Sequence, residues 1–146
     1  MPKASVKRLI ECKKNQLIDL VLDIEKYPEF VPFCLDAHVY ERNKENDLEL
    51  IIADLTIGKG PFKDTYKSDV KFYKKDSIIK VTNIGGPLNH LENIWYFKEL
   101  ENGTEISFDI DFEIENKFLN IVMTKSFQFG LDKIADAFQK RAEELF

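Results

Sequence analysis

Residues 116–146 have the sequence NKFLNIVMTKSFQFGLDKIADAFQKRAEELF, in which apolar residues recur every three or four positions. This period predicts an α-helix with one apolar face. Asn116 is the predicted N-cap, and Gly130 is an interior weak point that costs about 1 kcal/mol relative to alanine. The apolar face is formed by Phe127, Leu131, Ile134, Phe138, Ala142 and Leu145, with Phe118, Val122 and Phe129 extending or flanking it. Such a helix needs a large apolar partner, which the rest of the chain must supply.

That partner is predicted to be an antiparallel sheet. From Leu35 to Glu115 the hydrophobic period is two, interrupted by turn signals at regular intervals, of which Asn102-Gly103 is the strongest. The predicted strands cover 37–41, 48–57, 62–72, 78–82, 91–100 and 106–115, and the other predicted turns cover 43–47, 58–61 and 85–87. One face of this sheet is expected to be apolar throughout.

The first third of the chain predicts a strand and two short helical segments. Alternation over Ala4–Ile10 indicates the strand, and a helical stripe follows over Asn15–Ile24. That helix is expected to end near Tyr27, because Pro28 disfavours helical geometry in the residue before it. A short helical turn and a fixed bend are expected next. The fold class is therefore α+β, and the 146 residues are expected to form one domain over 1–146.

Composition and charge exclude several classes of protein. The net charge of -5 argues against broad contact with DNA or anionic lipid, both of which require a cationic face. Cys12 and Cys34 have no CxxC partner, so both are expected to be reduced and buried, without a disulfide or zinc site. No apolar run is long enough to span a membrane, and no signal or transit peptide is visible. A bacterial cytoplasm is therefore the expected location.

The sequence also predicts that the protein is not an enzyme. Four carboxylates in residues 109–115 alternate with apolar residues and are expected on the solvated outer face of a strand. His38 and His90 lie far apart with no triad-like companion, and no nucleophile or phosphate-loop motif is present. No catalytic residue, metal ligand or covalent cofactor is predicted.

Two inward-facing polar residues point to a different chemistry. Asp64 and Ser68 share a strand face with Phe62, Tyr66 and Val70, and a polar group turned inward must find a partner. They are either anchors for a polar group of a ligand or residues near an open sheet end or bulge. The inward aromatic residues are likewise either plain core or the lining of a cavity for a large apolar ligand.

Residues 27–34 resemble a known family signature. They read YPEFVPFC and are similar to the YPEFLPWC-type motif of the coenzyme Q-binding proteins and their bacterial relatives, a branch of the START-like (polyketide cyclase/dehydrase) superfamily. The resemblance continues in ADLTIG at 53–58, GPL at 86–88, Trp95 with Phe97, and DFEI at 111–114. It implies a helix-grip, Bet v 1-like fold, in which seven antiparallel strands in a curved sheet clasp the C-terminal helix.

The resemblance also implies a function without turnover. Members of this branch hold a polyprenyl quinone, ubiquinone, for the respiratory chain, so a quinone or other hydrophobic lipid is the expected ligand. Contact with a membrane surface, at the bacterial inner membrane, is expected through Pro28–Phe33. The residues expected to line the ligand cavity are Phe30, Phe33, Leu55, Phe62, Tyr66, Trp95, Phe97, Phe112, Phe127, Leu131 and Phe138.

Two alternatives come from the same resemblance. Bacterial members of the branch include ribosome association toxins, which bind the large ribosomal subunit, and a local patch at Lys59, Lys63, Lys67, Lys71, Lys74 and Lys75 suits such a contact. Cyclases and aromatases also belong to the superfamily. That alternative ranks last, because no acid/base pair is identifiable among the inward-facing residues.

Overall fold

The computed structural model describes the backbone of residues 3–59, 62–85, 88–114 and 117–146, without the side chains of 59, 62–64, 88–89, 112, 114 and 117–130. Within these ranges seven strands form one antiparallel sheet in the order β1-β7-β6-β5-β4-β3-β2. The strands are β1 (Lys3–Ile10), β2 (Cys34–Glu45), β3 (Leu48–Lys59), β4 (Phe62–Tyr73), β5 (Ile78–Gly85), β6 (Leu88–Leu100) and β7 (Gly103–Ile114). The helices are α1 (Lys14–Leu22), a 3₁₀ helix (Ile24–Glu29) and α2 (Lys117–Leu145). The predicted α+β, helix-grip fold is confirmed.

The long helix α2 covers one face of the sheet, as the apolar stripe predicted. It lies against β1 and β7 and also touches α1. Leu131, Phe138 and Ala142 of α2 are 2%, 5% and 0% exposed, so three of the predicted stripe positions are fully buried. The predicted N-cap, Asn116, lies outside the described residues.

The strand that follows the 3₁₀ helix also stabilises the end of α1. Arg42 of β2 donates from its guanidinium to the carbonyl oxygen of Leu22 at 3.3 Å and forms an ion pair with Glu25 at 3.3 Å. The carbonyls of the last helical turn have no partner within the helix, so a cation there both binds the oxygen and complements the helix dipole. At the other end of α1, the Lys13 amide donates to Gln16 Oε1 at 3.0 Å.

Several predicted boundaries are wrong. The predicted turn at 43–47 is only Asn46-Asp47, because β2 runs on to Glu45 and pairs with Leu48 in a tight hairpin. Gly58 and Lys59 belong to β3, and Gly85 belongs to β5, so neither stretch is wholly a turn or hinge. Polar and glycine-rich residues remain in these strands because the backbone hydrogen bonds of the ladder do not depend on the side chain.

The helical segment before the signature also differs from its prediction. The α-helix ends at Leu22, and the 3₁₀ helix runs from Ile24 through Pro28 to Glu29. Proline is compatible with this short helix, since its fixed φ is close to the helical value and few of the helix's amides require an internal partner.

Candidate ligand-binding site

The two ends of the sheet differ in how deeply its inner face is buried. One end of the sheet is formed by the connections β2–β3, β4–β5 and β6–β7, and we call it the closed end. There Ile51, Ile79 and Thr104 are each 0% exposed and Ile10 is 2% exposed. Thr104 is buried with its hydroxyl donating to the Cys12 carbonyl at 2.9 Å. The buried hydroxyl of Thr104 is therefore satisfied within the protein.

An aromatic cluster fills the space between α2 and the sheet next to the closed end. The ring of Phe138 lies 5.4 Å from Tyr27, 5.1 Å from Phe30 and 5.2 Å from Trp95, in edge-to-face arrangements. Trp95 also lies 4.4 Å from the ring of Phe108. Edge-to-face pairs at these distances are favourable beyond their buried area. The cluster thus joins the signature segment, the sheet and α2 in one packed unit.

Polar contacts hold the signature segment against both helices. The Tyr27 hydroxyl donates to the carbonyl oxygen of Val21, and burial raises the pKa of this phenol far above its usual value. Arg141 of α2 pairs with Glu29 at 3.1 Å and lies 5.2 Å from the centre of the Phe30 ring. These contacts therefore attach the signature segment to both α1 and α2.

A small cavity remains beneath α2, and it is too small for a lipid. Its volume is about 20 Å³, enough for about one water molecule. Arg8 of β1 lies at its wall and pairs with Asp136 at 3.3 Å and with Asp132 at 3.9 Å. The cavity is lined by Val6, Arg8, Ile10, Trp95, Ile106, Phe108, Leu131, Ile134, Ala135 and Phe138.

The opposite end of the sheet, which we call the open end, exposes apolar residues. Leu55, Val81 and Ile110 on the inner face are only partly buried. Further along, Ile57 is 39% exposed and Ile84 is 51% exposed. Phe33 is 40% exposed and has a φ of 67°, which bulky residues rarely adopt. At the closed end the exposed apolar residues Leu9 and Leu100 lie on the outer face of the sheet, whereas its inner-face apolar residues are buried.

Three polar side chains lie on the inner face between the two ends, and we call them the polar row: Ser68 of β4, Asn83 of β5 and Asn93 of β6. Ser68 pairs with Asn83 across the ladder and is only 4% exposed. The Asn93 Oδ1 atom is buried and has no hydrogen-bond partner among the residues that the structure describes. Of this row only Ser68 was predicted from the sequence, although inward register on strands that also carry Val81 and Trp95 was a usable signal for the two asparagines.

The structure divides the predicted lining residues into three groups. Trp95, Phe97, Leu131 and Phe138 are at most 8% exposed and belong to the packed core. Phe30, Leu55 and Tyr66 are partly buried, whereas Phe33 points away from the core with 40% of its surface exposed. The side chains of Phe62, Asp64, Phe112 and Phe127 lie outside the described residues. The predicted role of all these residues in ligand binding stays a prediction.

The described histidine, cysteine and acidic side chains do not form a cluster suited to a metal. No group of three or more His, Cys, Asp or Glu side chains suited to a metal occurs in the part of the chain that the structure describes. His90 lies 3.7 Å from Asp111 on the outer face of the sheet. Both cysteines are free and buried, as predicted, and burial raises the pKa of the Cys34 thiol to about 11.

No helix in the described ranges has the length and apolarity that crossing a membrane would require.

Comparison with known proteins agrees with this architecture. Residues 10–139 match the family described as "Polyketide cyclase / dehydrase and lipid transport". A START superfamily protein from Mycobacterium smegmatis superimposes with a TM-score of 0.84 over 100% of both chains, at 17% identity. At that level of identity the likeness concerns the fold.

Two curated relatives are more similar in sequence. The chain is 30% identical over 141 residues to a ribosome association toxin from Rickettsia prowazekii, and the match covers 94% of each chain. It is 34% identical over 136 residues to a mitochondrial coenzyme Q-binding protein from Dictyostelium discoideum, covering 90% of this chain and 64% of that protein. The chain therefore belongs to the polyketide cyclase/dehydrase and lipid transport family, in the branch that contains coenzyme Q-binding proteins and ribosome association toxins.

Proposed function

We propose that the protein binds a polyprenyl quinone, ubiquinone, between the inner face of its sheet and α2, and that it supports respiratory electron transport as a carrier or chaperone. The relative from Dictyostelium discoideum is named for binding coenzyme Q, and the family description includes lipid transport. Neither relative reported above is named for a catalytic activity. A quinone with an isoprenoid tail is nearly insoluble in water and gains from an apolar site with few polar groups.

The proposal depends on one observation: the burial and polarity of the inner-face side chains change from the closed end of the sheet to the open end. At the closed end the apolar residues of the inner face are buried. The polar row lies next to them, and beyond it come partly buried apolar residues such as Leu55 and exposed ones such as Ile57. An amphipathic lipid needs this sequence of surfaces, with polar atoms for its head and apolar ones for its tail. We therefore propose that the ligand lies towards the open end, away from the packed aromatic cluster.

The same end is proposed to face the membrane from which the ligand comes. Of the predicted contact segment Pro28–Phe33, Phe30 is held in the aromatic cluster, whereas Phe33 is largely exposed. Leu35, which is 50% exposed, follows it at the start of β2. Exposed apolar residues that follow one another closely, as Phe33 and Leu35 do, are typical of an interaction surface.

Solvent extraction of the purified protein tests the function. We expect ubiquinone in the organic phase at a constant ratio to protein, and saturable uptake of added quinone by the stripped protein. An unrelated protein of similar size, purified from the same host, serves as the control. Absence of both the co-purified quinone and saturable uptake would overturn the proposal.

Ribosome binding is the second candidate, because the match to the ribosome association toxin covers 94% of both chains. The predicted basic patch supports it only in part. Lys71 pairs with Asp69 at 3.9 Å, and Lys75 pairs with Asp47 at 3.2 Å, so neighbouring acids offset two of its charges. Lys67 lies 5.1 Å from the ring centre of Tyr40, and the side chains of Lys59 and Lys63 lie outside the described residues.

Co-sedimentation with large ribosomal subunits tests this second candidate. RNA contacts weaken steeply with salt, so binding at low salt that disappears as salt increases is the expected result. Failure to sediment with subunits at low salt would remove it.

A further inference from the structure

We propose that the polar row is the head-group site of the bound lipid, with Asn93 as the side chain that hydrogen-bonds the head. The lipid then enters head first, and its tail leaves through the open end. This inference rests on the proposed function, since it assigns the orientation of the same ligand. The family match does not specify which residue contacts the head group of a ligand.

Asn93 has apolar neighbours on the inner face of the sheet. Its ladder partners are Val81 on β5 and Ile110 on β7, and its neighbour on the same strand face is Trp95. These three neighbours are apolar, and in the part of the chain that the structure describes the buried Oδ1 atom has no hydrogen-bond partner. A buried polar atom left without a partner destabilises the protein, so a group retained in this state needs an explanation. A ligand that completes its hydrogen bonding is such an explanation.

Asn83 shows what a structural asparagine does in the same row. With its amide oriented to satisfy both neighbours, the Asn83 nitrogen lies 2.7 Å from the Gly85 oxygen and 3.2 Å from the Lys67 oxygen. These carbonyls flank the irregularity in the pairing of β4 with β5. Asn83 is thus fixed by the backbone of its own sheet. Within the described ranges of the chain, the buried oxygen of Asn93 has no hydrogen-bond partner.

The chemistry of the row defines the head group. Ser68, Asn83 and Asn93 are all neutral, so nothing in the row compensates the charge of a phosphate or carboxylate. Rotation by 180° about the last side-chain torsion exchanges the two ends of an amide, so Asn93 can accept from a hydroxyl or donate to a carbonyl. The head group is therefore neutral and carries carbonyl or hydroxyl oxygens, as quinones and quinols do.

The geometry of the two ends orients the tail. Beyond Trp95 the cavity of about 20 Å³ holds no more than about one water molecule, so an isoprenoid chain does not fit towards the closed end. In the other direction Leu55 is partly buried and Ile57 is 39% exposed, which provides an apolar route outwards.

The test compares two probes that differ only in the head group: a decyl-substituted benzoquinone and decylbenzene. In Asn93→Leu, which has nearly the same volume, we expect the Kd of the quinone to rise about 5- to 10-fold, the value of one hydrogen bond. The Kd of decylbenzene is expected to stay within about 2-fold, because its binding depends on apolar area. The melting temperature should not fall, since the substitution removes an unsatisfied polar atom. Asn43→Leu, at an exposed position of β2, is the matched control and should change neither affinity.

Two results would overturn the head-group assignment while leaving the proposed function intact. One is an unchanged quinone affinity in Asn93→Leu, and the other is an equal loss for both probes, which would indicate a change of cavity shape. If the unmodified protein binds neither probe, the proposed function itself fails and this inference fails with it.

Discussion

The closed and open ends of the sheet are made by the same seven strands with the same alternation, yet they have opposite properties. At the closed end Ile51 and Ile79 are fully buried, and the aromatic cluster interlocks with α2. At the open end Ile57 and Phe33 expose about two fifths of their surface. Strand periodicity gives each end an apolar inner face, but what covers that face decides whether it is core or binding surface.

Aromatic content alone therefore does not distinguish packed core from partly exposed inner face. Trp95 and Phe138, which were predicted to line a ligand cavity, lie in edge-to-face contact with each other, and their role in ligand binding stays a prediction. Residues of lower bulk nearer the open end, such as Leu55 and Val81, are the ones left partly exposed. Stability and ligand retention should therefore respond to substitutions at different ends.

The largest expected effect is at the closed end. Trp95→Ala should lower the free energy of unfolding by about 3–5 kcal/mol, because it leaves a cavity among rings that cannot close over it. Urea unfolding followed by far-ultraviolet circular dichroism measures the loss. Tyr96→Ala, on the opposite face of β6 and 38% exposed, is the matched control and should lose about 1 kcal/mol or less. Similar losses for the two variants would show that the aromatic cluster is not tightly packed.

We expect Leu55→Ala, at the open end, to affect ligand retention more than stability. Leu55 is only partly buried, so its truncation should lower the free energy of unfolding by about 1–2 kcal/mol. Its effect on ligand retention should be larger than that of the Tyr96→Ala control, as quantified by solvent extraction and chromatography. Retention equal to that of the unmodified protein would move the ligand away from Leu55 and sharpen the boundary between the two ends.

Phe33→Gly is expected to leave stability almost unchanged. Glycine accepts the positive φ of 67° without strain, a gain of about 1 kcal/mol that roughly offsets the lost packing of a side chain already 40% exposed. If the open end meets a membrane, sedimentation with lipid vesicles should decrease in this variant. Phe146→Ala serves as the control because Phe146 is 49% exposed at the end of the chain. Unchanged vesicle binding in Phe33→Gly would remove Phe33 from the contact.

The smallest effect concerns the Cys34 thiol, which lies at the boundary between the signature segment and β2. Burial raises its pKa from the ordinary value of 9.0 to about 11, so between these values the unfolded state loses this proton more readily than the folded state. The contribution of Cys34 to stability is therefore complete below pH 9 and decreases as the pH rises towards 11. Unfolding measured across this range should depend less steeply on pH in Cys34→Ala than in the unmodified protein. Parallel pH profiles would show that the thiol is not buried as described.

Much of the fold was predictable because its signals are local. The period of two over β7, from Ile106 to Ile110, and the Asn102-Gly103 turn before it depend only on neighbouring residues. The boundary at Asn43–Glu45 was missed because polar residues on an edge strand look like a turn until their ladder partners are known. The candidate site was less predictable, because Ser68, Asn83 and Asn93 of the polar row come together only through the pairing of β4, β5 and β6.

The sequence by itself determined the order of the elements, the apolar face of each strand and helix, and the family, since all three are encoded in spacing and in a continuous motif. Only the tertiary structure decided that Trp95 and Phe138 pack against each other, that Phe33 is 40% exposed, and that the buried Asn93 oxygen has no hydrogen-bond partner among the described residues. The physical reason is that hydrophobic alternation indicates which side of a strand is apolar, whereas the burial of that side depends on where the covering helix lies. The position of the helix is set by contacts between residues far apart in the chain.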